Sequence, residues 1–285
     1  MSLLGNLVPQ RFRSDAPTIP LVRLNGAIGA SSGFRSGGLS LAGVEQALAK
    51  AFAVKKAPAV AILVNSPGGA AVQSHLIFKR IRALADEKNK KVIVAVEDVA
   101  ASGGYMIAAA GDEIVVDASS IVGSIGVLFS GFGFTGLIDK LGIERRVHTA
   151  GQSKAMLDPF RPEKDEDVAR LKAMQADVHA GFIALVKGRR PQLVDNPDLF
   201  TGAFWSGARA VELGLADRVG DLREVLRERY GEKVRVLTIP TQKRGWLRRR
   251  LGMSGPHEST GLISTIADRV IAIVEERVLW NRFGL

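Results

Sequence analysis

Two glycine-rich stretches, "VNSPGG" at residues 64–69 and "AASGGY" at 100–105, carry the groups in this chain best suited to acyl-transfer chemistry. In the first, Pro67 followed by Gly68 and Gly69 forces a tight turn whose backbone N–H groups no side chain shields. In the second, Ser102 stands where an apolar run gives way to an alanine-rich one, so its hydroxyl falls at a helix N-terminus beside Gly103. A serine attacking a carbonyl needs donors aimed at the developing oxyanion, each worth about 3 to 4 kcal/mol. The amides of Gly69 and Gly103 could supply them. Taken singly, each stretch reads more simply as a strand-to-helix turn, and a serine before Gly-Gly as an N-cap. The presence of both turns in one chain favours the nucleophile.

Such a serine needs a base, and the sequence offers two kinds. Of the four histidines, His75 and His179 lie in helical stretches and His257 in the tail, which leaves His148 near an expected strand end. No acid-and-histidine arrangement is evident around it. Lysine is the alternative, but an amine accepts a proton only when neutral, which requires its pKa to fall from about 10.4 toward roughly 7 to 8. Lys154 in "HTAGQSKAMLDPF" is flanked by small and apolar residues, unlike the lysines of "EKNKK" and "KRGWLRRR". An apolar setting for Lys154 is therefore expected, although its composition fits an ordinary loop lysine as well.

The elements around these groups alternate between strand and helix. "IPLVRLNGAIG" reads as a strand entering a turn, "LSLAGVEQALAKAF" as an amphipathic helix, and "PAVAILVNS" and "KKVIVAVED" as buried strands. "PGGAAVQSHLIFKRIRAL" and "SGGYMIAAA" are the helices that follow those two strands. Strands are expected near residues 113–116 and across "ERRVHTAG", on either side of a glycine-rich passage. "PEKDEDVARLKAMQADVHAGFIALVKGRR" has acids at its start and bases at its end, as a helix macrodipole favours. Two short helices flank a strand-like "LADRV" after it. This alternation implies parallel βαβ units in an α/β core spanning residues 17–240. An irregular arm, 1–16, precedes the core, and a basic linker with an amphipathic C-terminal helix, 241–285, follows it.

Composition narrows the function classes. The chain has 285 residues, 46% of them hydrophobic and 24% charged, so a sizeable buried core is expected. It contains no cysteine, which excludes disulfides, thiolate metal sites and a cysteine nucleophile. Nothing points to a cofactor or a metal. A net charge of +10 invites a nucleic-acid reading, but no zinc, RNA-binding or helix-turn-helix pattern accompanies it, and no nucleic-acid partner is expected. The basic cluster "KRGWLRRRL" at 243–251, with Trp246, Leu247 and Leu251, suits peripheral contact with an anionic membrane through 243–285 about as well as it suits a solvated linker. Beyond it, Ile263, Ile266, Val270, Ile273 and Val274 form one helical stripe that Arg277 interrupts. No signal peptide or membrane-spanning run is visible, which places the chain in the cytoplasm or peripherally on the inner membrane.

The ordered set "NSPGG", "ASGGY", "SIGV" at 124–127 and "GQSKAMLDPF" at 151–160 resembles the signal peptide peptidase family of the SppA and SohB type. It covers about residues 20–230 and is similar to the short forms, in which serine and lysine occur in one domain. The resemblance implies a Clp protease/crotonase-like fold of repeated ββα units. It also implies a serine endopeptidase with a Ser-Lys dyad that cleaves extended peptides, such as signal peptide remnants or membrane-derived peptides, within a homo-oligomeric ring. By matching position, Ser102 is the nucleophile and Lys154 the general base, Gly69 and Gly103 are the oxyanion donors, and Ser124 helps to orient the lysine. Two other readings stand beside it. A crotonase-like acyl-CoA hydratase or hydrolase would need acids lining the site, where only Glu97 and Asp98 are at hand, and a non-catalytic membrane-associated scaffold would not need the dyad.

Overall fold

The computed structural model describes residues 16–29, 38–241 and 277–285. Among them the core of the molecule is one sheet with helices on both faces. Its strands are β1 (Thr18–Asn25), β2 (Ala59–Ser66), β3 (Lys91–Ala101), β4 (Glu113–Val116), β5 (Ile121–Gly123), β6 (Phe204–Ser206), β7 (Arg218–Val219) and β8 (Arg235–Ile239). The main path runs β6-β5-β3-β2-β1-β8; off it, β4 pairs with β3 and β7 with β4. Every pairing is parallel except β5 with β6.

β2 and β3 lie in the middle because their sequences are apolar on both faces. In β2 only Leu63 is not fully buried, as expected of a parallel strand covered by helices above and below. β3 changes partner along its length: Ile93 to Val96 pair with β4, and Val99 to Ala101 with β5. A register shift between Val64 and Ser66 accompanies the change. The carboxyl end of β3 is thus carried past the end of β4 to the point where Ser102 follows.

The helices are α1 (Leu41–Phe52), α2 (Ala71–Lys88), α3 (Gly103–Ala108), α4 (Thr135–Lys140), α5 (Asp165–Arg189), α6 (Gly207–Glu212) and α7 (Leu222–Tyr230). Ser40 and Asp221 cap α1 and α7 by accepting backbone N–H bonds, so polar residues set both starts. α1, α2 and α3 pack on one face of the sheet through Leu48, Phe52, Ile77, Ile81 and Ile107. α7 closes part of the other face, where Val225 and Leu226 meet Ile19, Ile93 and Val115.

Two expectations are corrected. "ERRVHTAG" forms no strand: residues 144–151 are irregular and almost wholly exposed. A strand exists only through its neighbour's hydrogen bonds, and no described strand lies beside this stretch. Lys154 has no apolar setting within the chain, since its turn is exposed to solvent. The short β5, inside the glycine-rich passage, the short β6 and the edge strand β8 form where the sequence pattern predicts no strand.

The N-terminal arm up to residue 15, the basic cluster 243–251, His257 and the apolar stripe 263–274 lie outside the described residues. The described end of the tail packs on the core. Phe283 meets Val99 and Ala101, with Trp280 and Ile121 alongside, and its ring stands edge-on to Phe204 at 5.2 Å.

Candidate active site

The two glycine turns meet. A Cβ built on Gly68 would lie 2.8 Å from Ser102 Cβ and 2.9 Å from Gly103 N, so only a glycine lets the first turn approach the second this closely. Gly104 rests on the end of β2, where a Cβ would fall 2.4 Å from the Ser66 carbonyl oxygen.

Hydrogen bonds hold the first turn from three sides. Ser66 Oγ donates to the Gly26 carbonyl at 2.7 Å and accepts the Gly68 N–H at 3.2 Å. Buried Asn65 donates to Asp98 Oδ2 at 2.6 Å and accepts the Val99 N–H at 3.2 Å, which ties β2 to β3. The chain after β1 lies along the turn: Ile28 N–H donates to the Gly68 carbonyl and its own carbonyl accepts from Ala70, both at 2.8 Å. Gly69, with φ +140°, has its Cα facing Ile28, where a Cβ would come within 2.1 Å of the carbonyl oxygen.

Ser102 is half-buried and adopts φ 52°, ψ −121°, a region that L residues avoid. Such strain costs about 1 to 3 kcal/mol and persists only where the surroundings impose it. Here the Ser102 N–H donates to the Gly123 carbonyl at 2.8 Å and the Ser102 carbonyl accepts from Met106 at 3.0 Å. Buried Tyr105 anchors α3 by donating to the Leu215 carbonyl at 2.8 Å, and burial pushes its phenol well above the ordinary range. The Ser102 side chain makes no capping bond to α3. A serine present only to cap the helix would accept one of those first N–H groups.

Neither the Gly69 N–H nor the Gly103 N–H has an acceptor among the described residues. Two unpaired donors and one uncapped hydroxyl therefore share a junction of two strand ends. That arrangement can hold negative charge on an oxygen bonded to a carbon under attack by Ser102. Gly103 is pressed against Ser74, where a Cβ would meet Oγ at 2.2 Å. Ser124, at φ 54° and buried, follows the Gly123 that holds Ser102 and donates its own N–H to Ala203 at 2.6 Å.

Within one chain Lys154 is not hydrogen-bonded into this junction. It lies in an exposed turn, its N–H bonded to the Gly151 carbonyl at 3.2 Å, and no hydrogen bond joins its amine to Ser102. His148 is exposed on the same segment, His179 Nε2 lies 3.2 Å from the Ile125 carbonyl, and His75 stacks on Phe78. The supports that sequence reading passed over are Asn65, Ser66, Ser74 and the backbone of Ile28. The first two stand inside the "NSPGG" motif itself, whereas nothing near Ile28 in the sequence signals that it lines the turn.

Residues 85–234 match the sequence profile of Peptidase family S49. The chain is 31% identical to an Enterococcus faecium protein bearing the signal peptide peptidase SppA name, over 78% of this chain and 65% of that one. It is 32% identical to the chloroplastic serine protease SPPA of Arabidopsis thaliana, over 73% of this chain and 31% of that one. It is also 56% identical, over 99% of its length, to a Brucella abortus protein named Na(+)/H(+) antiporter NhaA, of which it spans 39%. With a profile match across more than half its length and the two glycine turns meeting at Ser102, the chain belongs to peptidase family S49 and has the Clp protease/crotonase-like fold of that family.

Proposed function

We propose that the chain is a serine endopeptidase in which Ser102 is the nucleophile, Lys154 the general base, and the Gly69 and Gly103 N–H groups the oxyanion donors. The observation that carries this reading is the pair of N–H groups, without an acceptor among the described residues, that flank an uncapped hydroxyl on a strained residue. Ser102 Oγ attacks the substrate carbonyl and its proton passes to the neutral Lys154 amine. The oxyanion is held by the two amides, and the lysine then gives the proton to the departing amine. Water, deprotonated by the same lysine, hydrolyses the acyl-enzyme and frees Ser102.

The exposure of Lys154 bears on how the dyad is completed. No residue from 126 to 181 is buried as a whole, and the segment displays Leu128 at 72%, Phe132 at 82% and Leu141 at 62% exposure. So many large apolar groups on one excursion mark an interface. A second copy of the chain is the occupant we assign, with the lysine of one copy serving the serine of the next in a closed ring. Extended peptides, among them signal peptide remnants and membrane-derived peptides, are the substrates we infer from the family and from the name of the Enterococcus relative. The antiporter name of the Brucella relative describes a chain of which this one spans only 39%, and the profile match favours peptide hydrolysis for the shared part.

The test combines a fluorophosphonate label with cleavage of an unfolded substrate. Ser102→Ala loses both label and activity, and Lys154→Ala loses at least a hundredfold in kcat. Mixed and reassembled, the two inactive variants recover about a quarter of parental activity, the statistical share of sites with both groups intact in a symmetric ring. Labelling of Ser102→Ala at the parental rate, or full activity of Lys154→Ala, sinks the dyad. Stabilisation by acyl-CoA in place of peptide cleavage would select the crotonase-like alternative.

A further inference from the structure

The segment that carries Lys154 has no strand pairing, yet one carboxylate draws its two stems together. Asp158, four residues after the lysine, has a side chain only 5% exposed in a stretch where nearly everything else faces water. It pairs with Arg145 from the other stem and accepts the Phe160 N–H at 3.0 Å, both through Oδ1. The Arg145 guanidinium also lies over the Phe160 ring, 4.7 Å from its centroid. Phe160 in turn packs against Phe134 at 5.5 Å, and the Phe134 N–H donates to the Pro159 carbonyl at 2.6 Å. The second oxygen, Oδ2, has no hydrogen-bond partner among the described residues, and the Arg161 Nε lies 3.7 Å from it.

We propose that Asp158 is the positioning residue for Lys154: its carboxylate staples residues 145 and 158–161 together and so fixes where the turn 151–157 presents the amine. This rests on the Ser-Lys reading above. The physical reason is entropic. A turn of seven residues held by two weak backbone bonds, Lys154 to Gly151 and Met156 to Ser153, samples many orientations unless its ends are fixed. A proton transfer fails when the base strays by about 1 Å. A bidentate-capable guanidinium on a buried carboxylate is directional enough to remove that freedom. The Arg145 guanidinium, aided by the Phe160 N–H, keeps the Asp158 carboxyl below the usual carboxylate range, so the staple is charged at neutral pH. Leu157, at φ 56°, turns the chain from the lysine into the staple.

The experiment uses the full chain in its native assembly and compares Asp158→Asn, Asp158→Glu and the parent. With Asp158→Asn, kcat falls at least tenfold and KM stays within twofold, because the peptide-binding junction at Gly69 and Ser102 is untouched. Amides of residues 151–157 exchange hydrogen at least tenfold faster, while those of β2 and β3 keep parental protection. Asp158→Glu restores part of kcat and of the protection. Unchanged exchange in Asp158→Asn overturns the proposal, as does a loss confined to KM. If Lys154→Ala proves fully active, the dyad reading fails by itself, and the exchange rates of 151–157 still decide whether Asp158 staples the turn.

Discussion

The junction at Ser102 and the segment around Lys154 are built by opposite means. Ser102 follows a central strand buried on both faces, next to a turn that Ser66, Asn65 and Ile28 bond from three directions. Lys154 sits on an excursion in which no residue from 126 to 181 is buried as a whole, braced by the ion pairs of Asp158 with Arg145 and Arg161 and by aromatic contacts such as Phe134 on Phe160. The Ser102 side can therefore carry backbone strain, because the sheet enforces it. The Lys154 side has no wholly buried residue along its excursion and leaves Leu128 and Phe132 largely exposed. The difference teaches that folding alone fixes the Ser102 half of the proposed site, while the Lys154 half is left exposed by it.

Three substitutions would sharpen or break that contrast. The largest effect belongs to Gly69→Ala. Its Cβ would lie 2.1 Å from the Ile28 carbonyl oxygen at φ +140°, so the turn must move and its N–H lose its aim. A loss of about 10² to 10³ in kcat is expected, the usual cost of one oxyanion donor. Parental kcat in this variant would remove Gly69 from the site.

Phe132→Asp comes next and acts only on the other half. Phe132 is 82% exposed, so the charge leaves the stability of the isolated chain within about 0.5 kcal/mol, as surface changes generally do. The assembly should dissociate in sedimentation velocity, with peptide cleavage falling in step while denaturant unfolding stays parental. An intact, active assembly would show that this face does not join copies of the chain.

The smallest effect is on stability and concerns the strained Ser102. Glycine accepts φ 52° without the penalty that serine bears, so Ser102→Gly should stabilise by about 1 kcal/mol while abolishing activity. For a chain of this size that corresponds to a rise of roughly 2 to 4 °C in Tm. A lower melting temperature would mean that the serine hydroxyl, inert as a cap, supports the fold in some other way.

The buried strands and the helices following them were legible because their patterns are local. "PAVAILVNS" carries its own apolar run and "DEDVARLKAM" its own acidic start, whatever surrounds them. The three-residue β6 was not, since so short a stretch carries no periodicity and forms only by pairing with β5. "ERRVHTAG" shows the converse, a strand-like composition with no neighbour to bond. Lys154 was read from its residue type and its motif, but its exposure could not be. The flanking alanine, methionine and leucine say nothing about what lies across the turn.

By itself the sequence determined the chemical inventory: a serine before two glycines at the end of an apolar run, one proline-glycine turn, a lysine in the stretch "GQSKAMLDPF", and no thiol. Only the tertiary structure decided that Gly68 touches Ser102, that the Gly69 and Gly103 N–H groups have no acceptor among the described residues, and that Lys154 lies in an exposed turn. The reason is range. Backbone propensity and apolar periodicity act over a few residues, whereas the contact of two turns some 35 positions apart depends on how β2 and β3 register in the sheet, and that register is a property of the packed core as a whole.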